Sequence, residues 1–217
     1  MAFRVSRLLH EFGLVDSRWF TDASRERGHH VHTIAEQVFT GQQSLAVGAG
    51  YVAYWNALKG AAKALSAKMI CVERRLWGRD VTGRPDAVGW LETSVGQHLR
   101  PGPVIIDIKS GAPAAAHGLQ LAWYAKLADE TGLRHQLPSH YEIFPWQRVC
   151  VHVGDDGRYH LTPYTNVTDA AICDAIVDVA HWRRQHGYGC DDVSPDRIFD
   201  DDPEVPGIAG AAVSTGG

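Results

Sequence analysis

Residues Val104–Gly111 read VIIDIKSG. A Val- and Ile-rich run of this kind forms a buried strand, yet it carries a carboxylate at Asp107 and an ammonium at Lys109. Successive side chains of a strand point to opposite faces, so Val104, Ile106 and Ile108 share one face and Asp107 and Lys109 the other. The first face is wholly apolar and packs on a core. The second sets an acid beside a base. That pair is either an ion pair on a solvated sheet face or part of a site near the sheet interior, where charge is costly. Other residues converging on the same place decide between the two.

Working outward, the turn RPGP (100–103) precedes this strand, and AAAHGLQLAWYAKLADETG (114–132) follows it as a long helix closed by Gly132. Upstream, KMICVERRLWG and VTGRPDAVGWLE are expected as two strands joined by the turn WGRD. Two earlier helices are expected. One runs from about Ser24, its N-cap, to Phe39 with the stripe Val31, Ala35 and Val38 and a stop at Gly41; the other spans Tyr51 to Met69. Downstream, RVCVHV and RYHLTPY flank GDDG as a hairpin, and a last helix spans about Thr168 to His186. This order predicts an α/β fold with a central mixed sheet flanked by helices. One domain over residues 1–196 is expected, followed by an acidic and Gly/Ala-rich tail at 197–217 with too little apolar bulk to pack.

The chain of 217 residues is 45% hydrophobic and 21% charged, the balance of an ordinary globular protein with a sizeable core. No apolar run approaches the roughly 18 residues of a membrane helix. The N-terminus is too interrupted by charge for a secretory signal. Cys71, Cys150, Cys173 and Cys190 are widely scattered and read as reduced thiols of an intracellular, cytoplasmic protein rather than a metal knuckle. The net charge of −4 neither advertises nor excludes a nucleic-acid partner, because the local field along a groove governs phosphate binding. Basic residues cluster at Arg18, Arg25 and Arg27 and again at Lys68, Arg74, Arg75, Arg79 and Arg84, while the acids concentrate near the C-terminus.

Asp86, in GRPDAVGW, lies on the strand before Asp107, and strands joined by a short turn usually pair. Two carboxylates brought that close repel unless a cation sits between them, and oxygen donors suit Mg²⁺ or Mn²⁺. On the following helix Gln120 and Tyr124 are one turn apart and share a face, with Leu119, Trp123 and Leu127 as the adjoining apolar stripe. RGHHVH places His32 off the apolar stripe of its helix, as a surface histidine or a nitrogen ligand. Glu73 reads as an exposed strand carboxylate or as an outer acid of the same site.

Taken in order, a helical His, Gly-x-x-Asp and Asp-x-Lys on successive strands, and Gln-x-x-x-Tyr on the next helix resemble the PD-(D/E)XK nuclease superfamily. Within it they resemble the RecB-like exonuclease branch of bacteria and phages. The stretch RLLHEFGLVDSRWFTDASRERGHHVH also looks like phage members of that branch. The resemblance spans roughly Val5 to Tyr164 and implies a restriction-endonuclease-like core and Mg²⁺-dependent cleavage of DNA. It implies Asp86, Asp107 and the Ile108 carbonyl as metal ligands, and His32 as a ligand or orienting group for a second ion. Lys109 would act on water and phosphate, with Gln120 and Tyr124 orienting it or touching the DNA backbone. Arg25, Arg27, Arg74, Arg75 and Arg84 are candidates for phosphate contacts. Trp19, with Phe20, would stack on a base or wedge an end open, or anchor in the core. Some RecB-like members hold an iron–sulfur cluster; the spacing of Cys150, Cys173 and Cys190 does not fit one. Recombination or DNA end-processing, with a strand-annealing protein as partner, is the setting the resemblance implies. A non-cleaving DNA-binding or assembly module and a restriction-type endonuclease are the alternatives on the same core.

Overall fold

In the computed structural model, which describes residues 2–16, 20–42 and 47–188, the strand read from VIIDIKSG is β6 (Gly102–Lys109). Element order before it is β1 (Phe3–Arg4), α1 (Val5–Glu11), α2 (Asp22–Thr40), α3 (Val52–Leu65), β2 (Lys68–Val72), β3 (Leu76–Trp77), β4 (Val81–Gly83) and β5 (Ala87–Leu91). After it come α4 (Ala115–Glu130), β7 (Gln147–Val153), β8 (Tyr159–Pro163) and α5 (Asp169–Gln185). β6 is the middle strand of a five-stranded sheet ordered β2-β5-β6-β7-β8. Its pairing with β5 is antiparallel and with β7 parallel, so the sheet is mixed, as expected. A smaller sheet, β1-β4-β3, stands apart from it.

Both faces of the large sheet are covered. Val104, Ile106 and Ile108 pack with Val31, Ile34 and Leu58 of α2 and α3. Ile105 and Cys150 pack with α1, α4 and α5 through Leu8, Leu121, Trp123 and Ile176. This explains the nearly unbroken apolar text of β6: a strand buried on both faces has no solvent side to alternate toward. The Asp107–Lys109 face is therefore a covered face, and the solvated ion pair is excluded; Asp107 is 1% exposed.

Several expected boundaries shift, each for a local reason. α2 begins one turn early because Thr21, not Ser24, is its N-cap: Thr21 Oγ1 accepts from the Ser24 N–H at 3.1 Å. Gly41 closes it in the left-handed region (φ 73°), as expected. The next helix stops at Leu65 instead of Met69, because Ser66 turns left-handed and Lys68–Val72 pairs with β5. The two long strands expected between 68 and 92 are four short ones. β3 and β4 peel away to join the small sheet, so WGRD turns a hairpin outside the main sheet. Arg18, Trp19, Cys190 and the tail 197–217 lie outside the described residues. Among the described residues no helix is long and apolar enough to cross a membrane.

Candidate active site

Strand register assembles the site. Ala87 stands opposite Ile106 across the β5–β6 pair, so one step further Asp86 faces Asp107. Val72 stands opposite Ala87, and the Glu73 N–H donates to the Asp86 carbonyl at 2.9 Å, so Glu73 lies on the other flank of Asp86. Asp107 pairs with Cys150 on β7. Glu73, Asp86, Asp107 and Cys150 thus form one row across four adjacent strands, where directly opposed side chains sit about 4.5–5.5 Å apart at Cβ.

Each member of the row is held by specific partners. Asp86 is buried; its Oδ1 lies 3.0 Å from His32 Nδ1, and its Oδ2 accepts the backbone N–H of Ile108. A strand residue directs its carbonyl to the same edge as its N–H, so the Ile108 carbonyl also turns toward Asp86. Lys109 Nζ is 2.7 Å from Asp107 Oδ2. Glu73 is half-buried with a side chain only 9% exposed, so of the two expectations the exposed carboxylate does not hold. Its Oε2 pairs with Arg84 Nε at 3.1 Å and its Oε1 lies 3.5 Å from His32 Nδ1.

Two local features make Glu73 inward-facing. A β-bulge between Met69 and Cys71 inserts an extra residue, so that Ile70 and Cys71 both pack on the α4 side. Glu73 itself adopts φ 49°, which few non-glycine residues do. Neither feature has a spacing signature in the sequence. The positive φ is a local conformational cost of the kind found at functional sites.

The helix α4 supplies the remaining pair. Gln120 Nε2 donates to Tyr124 Oη at 2.9 Å, and Tyr124 is buried and interacts electrostatically with Asp107 and Lys109. Leu119, Trp123 and Leu127 dock the helix, as expected. The Gly of Gly-x-x-Asp has a steric reason. A Cβ at Gly83 would lie 2.7 Å from Tyr124 Cε1 and 3.2 Å from Val5 Cγ2, so only glycine leaves room for the ring.

The charges are strongly coupled. Burial favours neutral Asp86, but His32, Lys109 and the Ile108 N–H overcome it and hold its pKa below the usual carboxylate range. Asp107 goes the other way, pushed up by burial and the nearby Asp86 charge despite Lys109. Burial, with help from Asp86, pushes Glu73 up to about 7 against the pull of His32 and Arg84. The His32 ring is crowded by protein, which favours its neutral form, yet the Asp86 and Glu73 carboxylates raise it to about 10. Burial works against the Lys109 cation, but Asp107 and Asp86 outweigh it and hold its pKa above the ordinary value. Tyr124 is raised by burial and by the Asp107 charge.

His32, Glu73 and Asp86 each offer a ligand atom within 4.8 Å of the others, with Asp107 alongside. Glu73 Oε1 is buried without a hydrogen-bond partner among the described residues. Anionic oxygens with one imidazole fit a hard divalent cation such as Mg²⁺ or Mn²⁺. The arginines are dispersed. Arg84 pairs with Glu73, Arg25 pairs with Asp22 at 2.9 Å, half-buried Arg27 lies near Tyr54, Arg74 is exposed near Cys71, and Arg75 is half-buried. Phe20 is 36% exposed.

No protein-family model matches this chain, and no curated protein matches it in sequence. Among solved structures the chain is similar to the alkaline exonuclease LHK-Exo from Laribacter hongkongensis, at 15% identity over 86% of this chain and 90% of that one, with a TM-score of 0.43. A structure of LHK-Exo in complex with dAMP matches at 14% identity, 86% and 94% coverage and a TM-score of 0.34. The protein SSO0001 matches at 14% identity, 74% and 87% coverage and a TM-score of 0.30. The chemistry of the site stands on its own residues.

Proposed function

We propose that this protein is a divalent-cation-dependent deoxyribonuclease that hydrolyses phosphodiester bonds, acting as an exonuclease of the RecB-like PD-(D/E)XK type. The observation that carries the reading is the row Glu73, Asp86 and Asp107 on three adjacent strands, with His32 on Asp86 and Lys109 on Asp107. A structural role alone does not call for two buried acids with a third, half-buried one beside them, because bringing like charges together away from water destabilises the fold.

Asp86, Asp107 and the Ile108 carbonyl would hold Mg²⁺ or Mn²⁺, with Glu73 and His32 on the Asp86 side for a second ion. The bound ion would acidify a coordinated water and neutralise charge growing on the phosphate. Lys109 stays cationic at neutral pH because Asp107 and Asp86 raise its pKa. It therefore acts by electrostatic stabilisation of the pentacovalent phosphate and by orienting the attacking water, not as a general base. Tyr124 accepts from Gln120, so its own proton is free to orient the Lys109–Asp107 pair. Arg84 lies where a phosphate approaching the acids can meet a guanidinium, and Arg25, Arg27, Arg74 and Arg75 supply further phosphate contacts, sequence-independent and salt-sensitive. The setting is recombination or DNA end-processing in the cytoplasm of a bacterial or phage-infected cell, beside a strand-annealing partner.

End-labelled linear DNA and closed circular DNA, each incubated with and without Mg²⁺, test this directly. Cation-dependent loss of the linear substrate alone is expected. Cleavage of the circle means an endonuclease, and binding without cleavage means a DNA-binding module.

A further inference from the structure

On the far side of Asp107 from Asp86 lies a second cluster that the nuclease reading does not use. His117 on α4 and Cys150 and His152 on β7 each place a ligand atom within 4.8 Å of the others. Cys150 and His152 are alternate residues of one strand and project from the same face, as Asp107 and Lys109 do beside them. His117 reaches them from the first turn of α4, its ring centroid 5.7 Å from that of His152.

One atom of this cluster lacks any account within the protein. His152 is 93% buried (7% exposed), and its Nδ1 lies 2.9 Å from the Gly111 carbonyl, to which it donates. That bond fixes the tautomer and leaves Nε2 as a bare lone pair. Nε2 is buried and has no hydrogen-bond partner among the described residues. A backbone carbonyl on the other nitrogen is the usual arrangement behind a metal-bound histidine. The sulfur, too, is only weakly committed, 3.6 Å from Asp107 Oδ2. His117 Nδ1 accepts from the Ala114 N–H at 3.3 Å and approaches the Tyr164 hydroxyl at 3.4 Å, so ligation through it exchanges two long contacts for a metal bond.

We propose that His117, Cys150 and His152 form a nitrogen–sulfur site for a Zn²⁺-class transition-metal ion, distinct from the oxygen-donor centre at Asp86. Two imidazoles and one thiolate are the donor set that selects such ions over Mg²⁺ or Ca²⁺. Three protein ligands leave a fourth tetrahedral position open to water. On binding, the Cys150 S–H bond breaks, its proton passes to solvent, and the sulfur pair forms the bond to the metal. Ligands around bonds of roughly 2.0–2.3 Å sit about 3.5 Å apart, a contraction that small side-chain rotations supply. Burial and the Lys109 charge hold His117 down to about 4, which leaves its lone pair available at neutral pH, whereas burial and the Asp107 charge push the Cys150 thiol up, so that the metal itself has to displace the thiol proton.

The test uses the full chain, stripped of metal and titrated with Co²⁺, whose thiolate-to-metal charge-transfer band reports sulfur ligation. One equivalent of Co²⁺ should develop the band, and Zn²⁺ should bleach it by displacement. Cys150→Ser should abolish it, while Asp86→Asn, which disables the other centre, should leave it intact. His152→Gln should weaken Co²⁺ binding at least tenfold and keeps the test decisive if Cys150→Ser misfolds. Bound Co²⁺ with no charge-transfer band, a band that survives Cys150→Ser, or unchanged Co²⁺ affinity in His152→Gln overturns the proposal. Loss of the band with Asp86→Asn overturns its separateness.

Discussion

Replacing Glu73 with Gln isolates one strongly perturbed carboxyl of the row. Its pKa rises from 4.5 to about 7 on folding, with burial as the first cause and Asp86 adding to it. At about 1.4 kcal/mol per pH unit, a rise of that size is worth roughly 3 kcal/mol. A raised carboxyl favours its protonated form in the folded state. The stability it contributes is therefore complete below pH 4.5 and lost as pH climbs through about 7 in metal-free protein. His32 and Asp86 titrate together with Glu73, which spreads part of the effect, so a pH-dependent difference of about 1–3 kcal/mol is expected. Gln keeps the shape and never ionises. It also loses the Arg84 pair and the charge facing His32, a cost that is present at every pH at which wild-type Glu73 is ionised. The measurement is urea denaturation of wild type and Glu73→Gln in chelator at about pH 5 and about pH 8. The stability of the variant relative to wild type should improve toward the higher pH. A difference that stays flat, or that worsens with pH, refutes the placement of Glu73 as a half-buried acid crowded by Asp86.

Four further outcomes are expected. Asp107→Ala and Asp86→Ala should each abolish cation-dependent cleavage while the chain still folds by circular dichroism; residual cleavage near a tenth of wild type counts against the metal centre. Lys109→Ala should lower turnover by orders of magnitude with Mn²⁺ affinity, read by calorimetry, within a few-fold, and a collapse of affinity makes Lys109 structural. Tyr124→Phe should change stability by no more than about 1 kcal/mol, the net worth of one hydrogen bond, yet lower cleavage visibly, and Gln120→Ala should lower it further; unchanged rates remove both residues from the site. Gly83→Ala should destabilise by about 1–3 kcal/mol through overpacking and lower turnover by displacing the Tyr124 ring, and a variant with wild-type melting and turnover shows that the ring gives way freely.

The parts of this molecule that were legible in the sequence are those governed by local spacing. β6 was readable because its alternation put Asp107 and Lys109 on one face, and the docking of α4 because Leu119, Trp123 and Leu127 repeat at helical spacing. His32 and Asp86 could be placed in order along the chain, although nothing local told that they touch at 3.0 Å. Glu73 was obscured because its direction depends on a bulge two to four residues earlier and on a left-handed φ, both imposed by pairing with β5. The histidine–cysteine cluster was invisible for a related reason. Its residues are 33 and 35 positions apart along the chain, with His117 on a helix and Cys150 and His152 on a strand, and no short motif spans them. The four-strand fragmentation between 68 and 92 reflects competition between two sheets for the same stretch, which only the complete fold resolves.

The row across β2, β5, β6 and β7 also bears on how the proposed site comes together during folding. Each member comes from a different strand, so a slip of one residue in any pairing turns a member to the opposite face. The β6–β7 pairing is parallel and is closed by a crossover through α4, running from Lys109 to Gln147. Pairings so distant in sequence form late, because loop closure must precede the contacts that reward it. A chain whose β7 has not yet docked therefore holds Asp107 without Cys150 beside it, while the three acids depend on the antiparallel β2–β5 and β5–β6 pairings. On the proposed function, correct register through β2, β5 and β6 is then a condition of cleavage, and a chain slipped at either pairing carries the three acids without the row that would hold a cation.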